Sequence, residues 1–83
     1  MTIKKPLVIN QPQVGEFIHD LRRALGLTQE QFAVALGVTY GTINRWEKGR
    51  SKPSPLAMKK IEEILQEIGQ KGTDLLSQYF SEH

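Results

Sequence analysis

Two segments of helical character, residues 29–36 and 39–48, are separated by Gly37 and Val38 and nothing else. No other feature constrains the fold as strongly. A break that short, centred on glycine, does not let the second helix fold back antiparallel, so the two must cross steeply. Thr28 is followed three residues later by Gln31, the capping-box spacing that starts the first segment. Gly37 supplies the left-handed conformation that stops it, and Thr39 is placed to cap the next helix. Ala33 must be small where the second helix passes over it. Phe32, Leu36, Val38, Ile43 and Trp46 must be apolar, because they fill the angle between the helices. Every one of these positions complies.

The second helix, 39–48, is not written for stability alone. Gly41 costs about 1 kcal/mol against alanine in a helix interior, and Thr39, Thr42 and Ile43 are β-branched. Ile43 and Trp46 form only a narrow apolar stripe. The register of Trp46 with Ile43 puts the tryptophan in the core rather than on a stacking platform for single strands. The opposite face, Tyr40, Gly41, Asn44 and Arg45, is left for another use.

The remaining chain reads as helices with tight loops. Val14, Phe17, Ile18, Leu21 and Leu25 fall on one helix face that ends near Gly26. After the polar loop Arg50-Ser51-Lys52-Pro53, Ser54-Pro55 opens a further helix with proline at its favoured first position. Its expected buried face is Leu56, Ile61, Ile64, Leu65 and Ile68, with Gly69 and Gly72 breaking it. Thr73 to Glu82 forms a short last helix carrying Leu75, Leu76, Tyr79 and Phe80. Met1–Pro12, with two prolines and the apolar residues Ile3, Leu7, Val8 and Ile9, reads as an extended arm or edge strand. The expected fold is therefore all-α, a compact bundle of four to five helices. The expected division is an arm (1–12), a helical domain (13–69) and a C-terminal tail (70–83).

The 83 residues suffice for one small domain, and the absence of cysteine excludes disulfides and thiolate metal sites. The longest apolar run near the N-terminus, Leu7-Val8-Ile9, is too short for a signal peptide or a membrane span. A cytoplasmic protein without membrane contact is expected. The net charge of +2 is unevenly spread. Residues 37–60 hold six bases and one acid, whereas residues 61–83 hold one base and five acids. A basic middle beside an acidic tail fits a polyanion partner on one face. His19 and His83 are far apart, with His19 expected at the surface. No metal spacing, phosphate loop or nucleophile–base constellation is present, so neither an enzyme nor a cofactor is expected.

The segments Thr28-Gln29-Glu30-Gln31-Phe32-Ala33, Leu36-Gly37-Val38 and Ile43-Asn44-Arg45-Trp46-Glu47-Lys48-Gly49, with Pro53, resemble the phage repressor and Cro type of DNA-binding domain, the XRE family. The resemblance covers roughly Phe17 to Ile68. It implies a helix-turn-helix that reads double-stranded DNA, with helix 39–48 in a major groove about 12 Å wide. Tyr40, Gly41, Asn44 and Arg45 then become the candidate base contacts, and Arg45 can pair bidentately with guanine. Gly41 departs from the side-chain reader common at its place in the family. Gln29, Thr39, Thr42, Lys48, Arg50 and Lys52 become candidate phosphate contacts. The resemblance also pairs Arg22 with Glu47, which accounts for an acid on a DNA-facing element.

Two functions stay open on these residues. One is a transcriptional regulator, expected to be a repressor. The other is the antitoxin of a toxin–antitoxin pair, binding a toxin protein as well as operator DNA. The regulator is expected to be a homodimer, because one recognition helix covers too few base pairs to select a site. Its pairing surface would be the tail, through Leu75, Leu76, Tyr79 and Phe80, or the arm, through Ile3, Leu7, Val8 and Ile9.

Overall fold

Each helix presents an apolar face to a shared core, and the turns after the first two are closed by the backbone itself. The computed structural model describes residues 13–79 and holds five helices there: α1 (Gln13–Leu25), α2 (Gln29–Leu36), α3 (Tyr40–Glu47), α4 (Pro55–Glu67) and α5 (Gln70–Tyr79). The expected N-terminal arm and Phe80 lie outside the described residues. The all-helical class read from the sequence is the class observed.

Local chemistry sets the helix ends. The Thr28 side chain accepts from Gln31 N at 3.1 Å while Gln31 Oε1 accepts from Thr28 N at 2.9 Å, a complete capping box. Gly37 has φ +71°, and its neighbours close the turn through Val38 N to Ala33 O (2.9 Å) and Gly37 N to Val34 O (3.2 Å). That paired arrangement is the Schellman motif, which satisfies carbonyls the helix would otherwise leave open. Thr39 caps α3 by accepting from Thr42 N at 3.1 Å, and Ser54 caps α4 by accepting from Ala57 N at 3.1 Å.

The core gathers Val14, Phe17, Ile18, Leu21, Phe32, Ala33, Leu36, Ile43, Trp46, Ala57, Ile61, Leu65 and Leu75, all buried. α1 packs on α3 and α5, α2 on α3 and α4, and α4 on α5. Three expectations about the C-terminal half need correction. Leu56 is not on the buried face of α4: it is 69% exposed, and Ala57 takes the inward place at the first turn. Gly72 does not break α4. The chain turns at Gly69, and Gly72 lies inside α5, buried against α4. A Cβ built at Gly72 would stand 2.0 Å from the Leu65 carbonyl oxygen, so glycine is what lets the two helices touch. The last helix accordingly starts at Gln70, not at Thr73.

The tail is also not an apolar appendage. Leu75 is buried, and Leu76 and Tyr79 pack against the core. The Tyr79 ring meets Phe17 edge-on, with centroids 5.6 Å apart. Its hydroxyl donates to Asp20 Oδ2. Burial, then this bond and the negative charges of Asp20 and Glu16, push the Tyr79 pKa up to about 12, so the group stays a donor at neutral pH. Residues 70–79 thus belong to the same packed unit as 13–69, and the premise for pairing through Leu75, Leu76 and Tyr79 falls away.

Gly72→Ala is expected to lower stability by about 1–3 kcal/mol, the usual cost of overpacking, because the obstacle is backbone and cannot swing aside. Chemical denaturation would measure it, and an unchanged midpoint would refute the close contact.

Candidate nucleic-acid interface

The exposed face of α3 is held in place from behind by one carboxylate. Glu47, the last residue of α3, has a side chain only 7% exposed. Its Oε2 accepts from Arg22 Nε at 2.7 Å, and its Oε1 accepts from Arg22 Nη2 at 3.2 Å and from Gln29 Nε2 at 3.1 Å. The guanidinium therefore grips it as a fork. Arg22 Nη1 also donates to the Leu27 carbonyl at 3.0 Å, tying the α1–α2 turn to the same group. His19 Nδ1 lies 3.2 Å from Glu47 Oε1 and 3.3 Å from Arg22 Nη2, and bonds one or the other according to its tautomer. Helices α1, α2 and α3 all meet at this carboxylate.

Burial by itself would raise the Glu47 pKa. The hydrogen bonds from Arg22, His19 and Gln29, with the charge of Arg22, outweigh it and hold the carboxyl below the usual carboxylate range. The bond to Glu47, with the charge of that carboxylate, raises the Arg22 guanidinium pKa and more than offsets burial, which acts to lower it.

Two residues here were not singled out as functional by their sequence context. Gly15 sits where α1 crosses the end of α3: a Cβ there would stand 2.7 Å from Trp46 O and 2.8 Å from Glu47 O. His19, expected at the surface, is half-buried against Glu47. The available signal was spacing. Gly15, His19 and Arg22 fall at i, i+4 and i+7, one stripe of α1, and that stripe faces the C-terminal end of α3.

On the other side, Tyr40 is 51% exposed and Arg45 is exposed, while Gly41, Thr42 and Asn44 are half-buried on the same short helix. Thr39, at the helix cap, is exposed. Tyr40 shares an open cleft with Arg22, Thr28, Gln29 and Glu30, at the N-terminus of α2. Gln29 keeps one amide hydrogen beyond the one given to Glu47. Lys48, Arg50 and Lys52 are exposed on the loop that follows α3. That loop leaves the helix through Arg50 N to Arg45 O at 2.8 Å and Gly49 N to Trp46 O at 3.0 Å. The geometry is that of a helix standing out from a rigid base, flanked by a helix N-terminus on one side and cations on the other. Among the described residues, no group of acids and histidines is arranged to hold a metal ion, and no helix is long and apolar enough to cross a membrane.

A helix-turn-helix family model matches residues 18–68, more than half of the chain. The chain belongs to the XRE-type helix-turn-helix family. The matched region runs from α1 through the end of α4, so α5 lies beyond it. An HTH-type transcriptional regulator of Methanothermobacter thermautotrophicus is 46% identical over 48 residues, which cover 58% of this chain and 70% of that protein. The HTH-type transcriptional regulator RghRB of Bacillus subtilis is 40% identical over 52 residues, 61% of this chain and 37% of that protein. The type II methyltransferase M.SsoII of Shigella sonnei is 45% identical over 51 residues, 58% of this chain but 14% of that enzyme. The chain thus spans from a small fraction to about two thirds of the length of these relatives. The family is one of DNA-binding regulators.

Because the Glu47 pKa is lowered on folding, the pair stabilises the fold above the usual carboxylate range. That contribution is lost as pH falls through the depressed value. Glu47→Gln should therefore be less stable than the wild type at pH 7, and the gap should close as pH drops below about 4. Thermal melts across pH would show it. A gap that stays constant with pH would mean that the charge of Glu47 contributes nothing.

Proposed function

We propose that this protein binds a specific operator in double-stranded DNA through α3 and represses transcription there as a homodimer. The observation that carries the reading is the split character of α3. Ile43 and Trp46 are buried and Glu47 is clamped, while Tyr40 and Arg45 stand exposed on a helix of only eight residues. A helix so anchored presents its outer side chains in a fixed frame, as base reading requires.

In this reading Tyr40, Gly41, Asn44 and Arg45 meet base edges. Arg45 is the main discriminator, taking guanine O6 and N7 with its fork. Gln29, at the start of α2, gives its second amide hydrogen to a phosphate, aided by the helix dipole. Thr39, Lys48, Arg50 and Lys52 follow the backbone and set register rather than sequence. Pairing of two copies supplies the second half-site that one short helix lacks. With Leu75, Leu76 and Tyr79 engaged inside the domain, little supports the alternative in which this tail grips a toxin. Leu56 and Val34, at 69% and 82% exposure, are the large apolar side chains left outside both the core and the DNA face among the described residues.

The reading is tested by footprinting on duplexes selected from a random pool. The expected site is two-fold symmetric, with half-sites about 34 Å apart. A single asymmetric site bound one-to-one would refute the homodimer, and an empty selection would refute operator binding.

Arg45→Ala and Lys52→Ala should fail in different ways. The first is expected to weaken specific binding by about 1–3 kcal/mol and to relax preference at one base pair per half-site. The second should weaken all duplexes alike and reduce the log–log salt slope by about one. Titrations at several salt concentrations against matched and mismatched sites separate the two, and interchanged results would exchange the two assignments.

A further inference from the structure

We infer that Thr42 is a positioning residue that aims Arg45, and that Gly41 provides the seat on which the arginine lies. The inference rests on the proposal that Arg45 reads a base, and it concerns how that side chain is made ready to do so.

Side chains on a helix lean back toward its N-terminus, so a long residue covers positions three and four before its own. For Arg45 those positions are Thr42 and Gly41. The structure places the guanidinium there. Arg45 Nη2 donates to Thr42 Oγ1 at 3.2 Å, and a Cβ built at Gly41 would come within 3.6 Å of Arg45 Nη1. The arginine therefore lies along the first turn of α3. The glycine that weakens this helix leaves that turn bare, and a long side chain at 41 would occupy the place the guanidinium takes.

The direction of the Arg45 bond follows from the chemistry. An arginine can only donate, so Thr42 Oγ1 is the acceptor in that bond. Thr42 Oγ1 also lies 2.9 Å from Thr39 Oγ1, which itself accepts from Thr42 N at 3.1 Å as the helix cap. A hydroxyl oxygen can accept twice, so either threonine can be the donor in that contact. In both cases Arg45, Thr42 and Thr39 form one connected chain along the first turn of α3.

The consequence is a difference in role. A phosphate contact by Thr42 would add affinity for every duplex. A positioning role adds discrimination, because Arg45 loses less rotamer freedom when it meets the correct base. The guanidinium still has a hydrogen on Nη2 and both on Nη1 for a bidentate contact. Thr42 suits the task because its hydroxyl is held from the other side by Thr39 at 2.9 Å.

The test compares Thr42→Val, which keeps the branched shape and removes the hydroxyl, with Thr42→Ser, which keeps the hydroxyl. Circular dichroism checks that each is folded. Binding is measured to the selected operator, to the operator changed at the base pair that Arg45→Ala relaxes, and to unrelated duplex. Thr42→Val is expected to reduce the matched-to-mismatched ratio about two- to tenfold, the worth of one hydrogen bond, while binding to unrelated duplex is unchanged. Thr42→Ser is expected to keep most of the ratio. In an Arg45→Ala background Thr42→Val should have no further effect. Equal losses on all duplexes, or a full Thr42→Val effect without Arg45, would overturn the positioning role. If Arg45→Ala itself leaves selectivity intact, the base-reading proposal fails first, and that result is distinct from a failure at Thr42.

Discussion

The placement of α3 depends on a carboxylate that three helices share. Glu47 ends α3, Arg22 and His19 come from α1, and Gln29 opens α2. An ion pair taken partly out of water adds little net stability against an apolar replacement, yet breaking it from one side leaves the other charge without its partner. What such a pair gives is direction. Apolar contacts among Phe32, Ile43 and Trp46 draw α3 inward but would tolerate some rotation about its axis. Fixed donor–acceptor geometry at Glu47 tolerates far less. Gly15 completes the arrangement by letting α1 come within touching distance of the Trp46 and Glu47 carbonyls. An eight-residue helix with a glycine in its first turn has little intrinsic stability, so its conformation is owed to these neighbours.

The turn-and-cap features were legible in the sequence because each is a local rule acting over a few residues. Gly37 with its left-handed φ, the Thr28–Gln31 box and the Thr39 and Ser54 caps all depend on chain neighbours alone. The apolar stripe of α1 was legible for the same reason. The misreadings fall where a residue answers to a distant one. Leu56 looked like core by composition, but helix phase gives the inward place to Ala57, and a small residue there is easily overlooked. Gly72 looked like a breaker because nothing nearby in sequence reveals the Leu65 carbonyl it faces. The contact of His19 with Glu47 was missed because the two lie 28 residues apart. For the site, the face of α3 could be read from periodicity. The orientation of Arg45 over Gly41 and Thr42 could not, since it requires side-chain directions.

Membership of the helix-turn-helix family explains why a basic stretch can coexist with an acidic C-terminal region in one small domain. The two charges occupy different tasks. Lys48, Arg50 and Lys52 follow α3 in the loop that leaves it and Lys59 and Lys60 lie in the first half of α4, while the acids Glu62, Glu63, Glu67 and Asp74 lie further along α4 and on α5.

The bond between Tyr79 and Asp20 joins residues 59 positions apart. Two of the other packed pairs are near neighbours in the chain: three residues separate α2 from α3, and two separate α4 from α5. Closing a long loop costs more chain entropy than closing a short one, so the local pairs can form well ahead of the contact between first and last helix. The docking of α5 on α1 adds to the packing of α2 on α4 a second tie between the two ends of the chain. The C-terminal helix thus closes the domain on itself, although the matched family region ends before that helix begins.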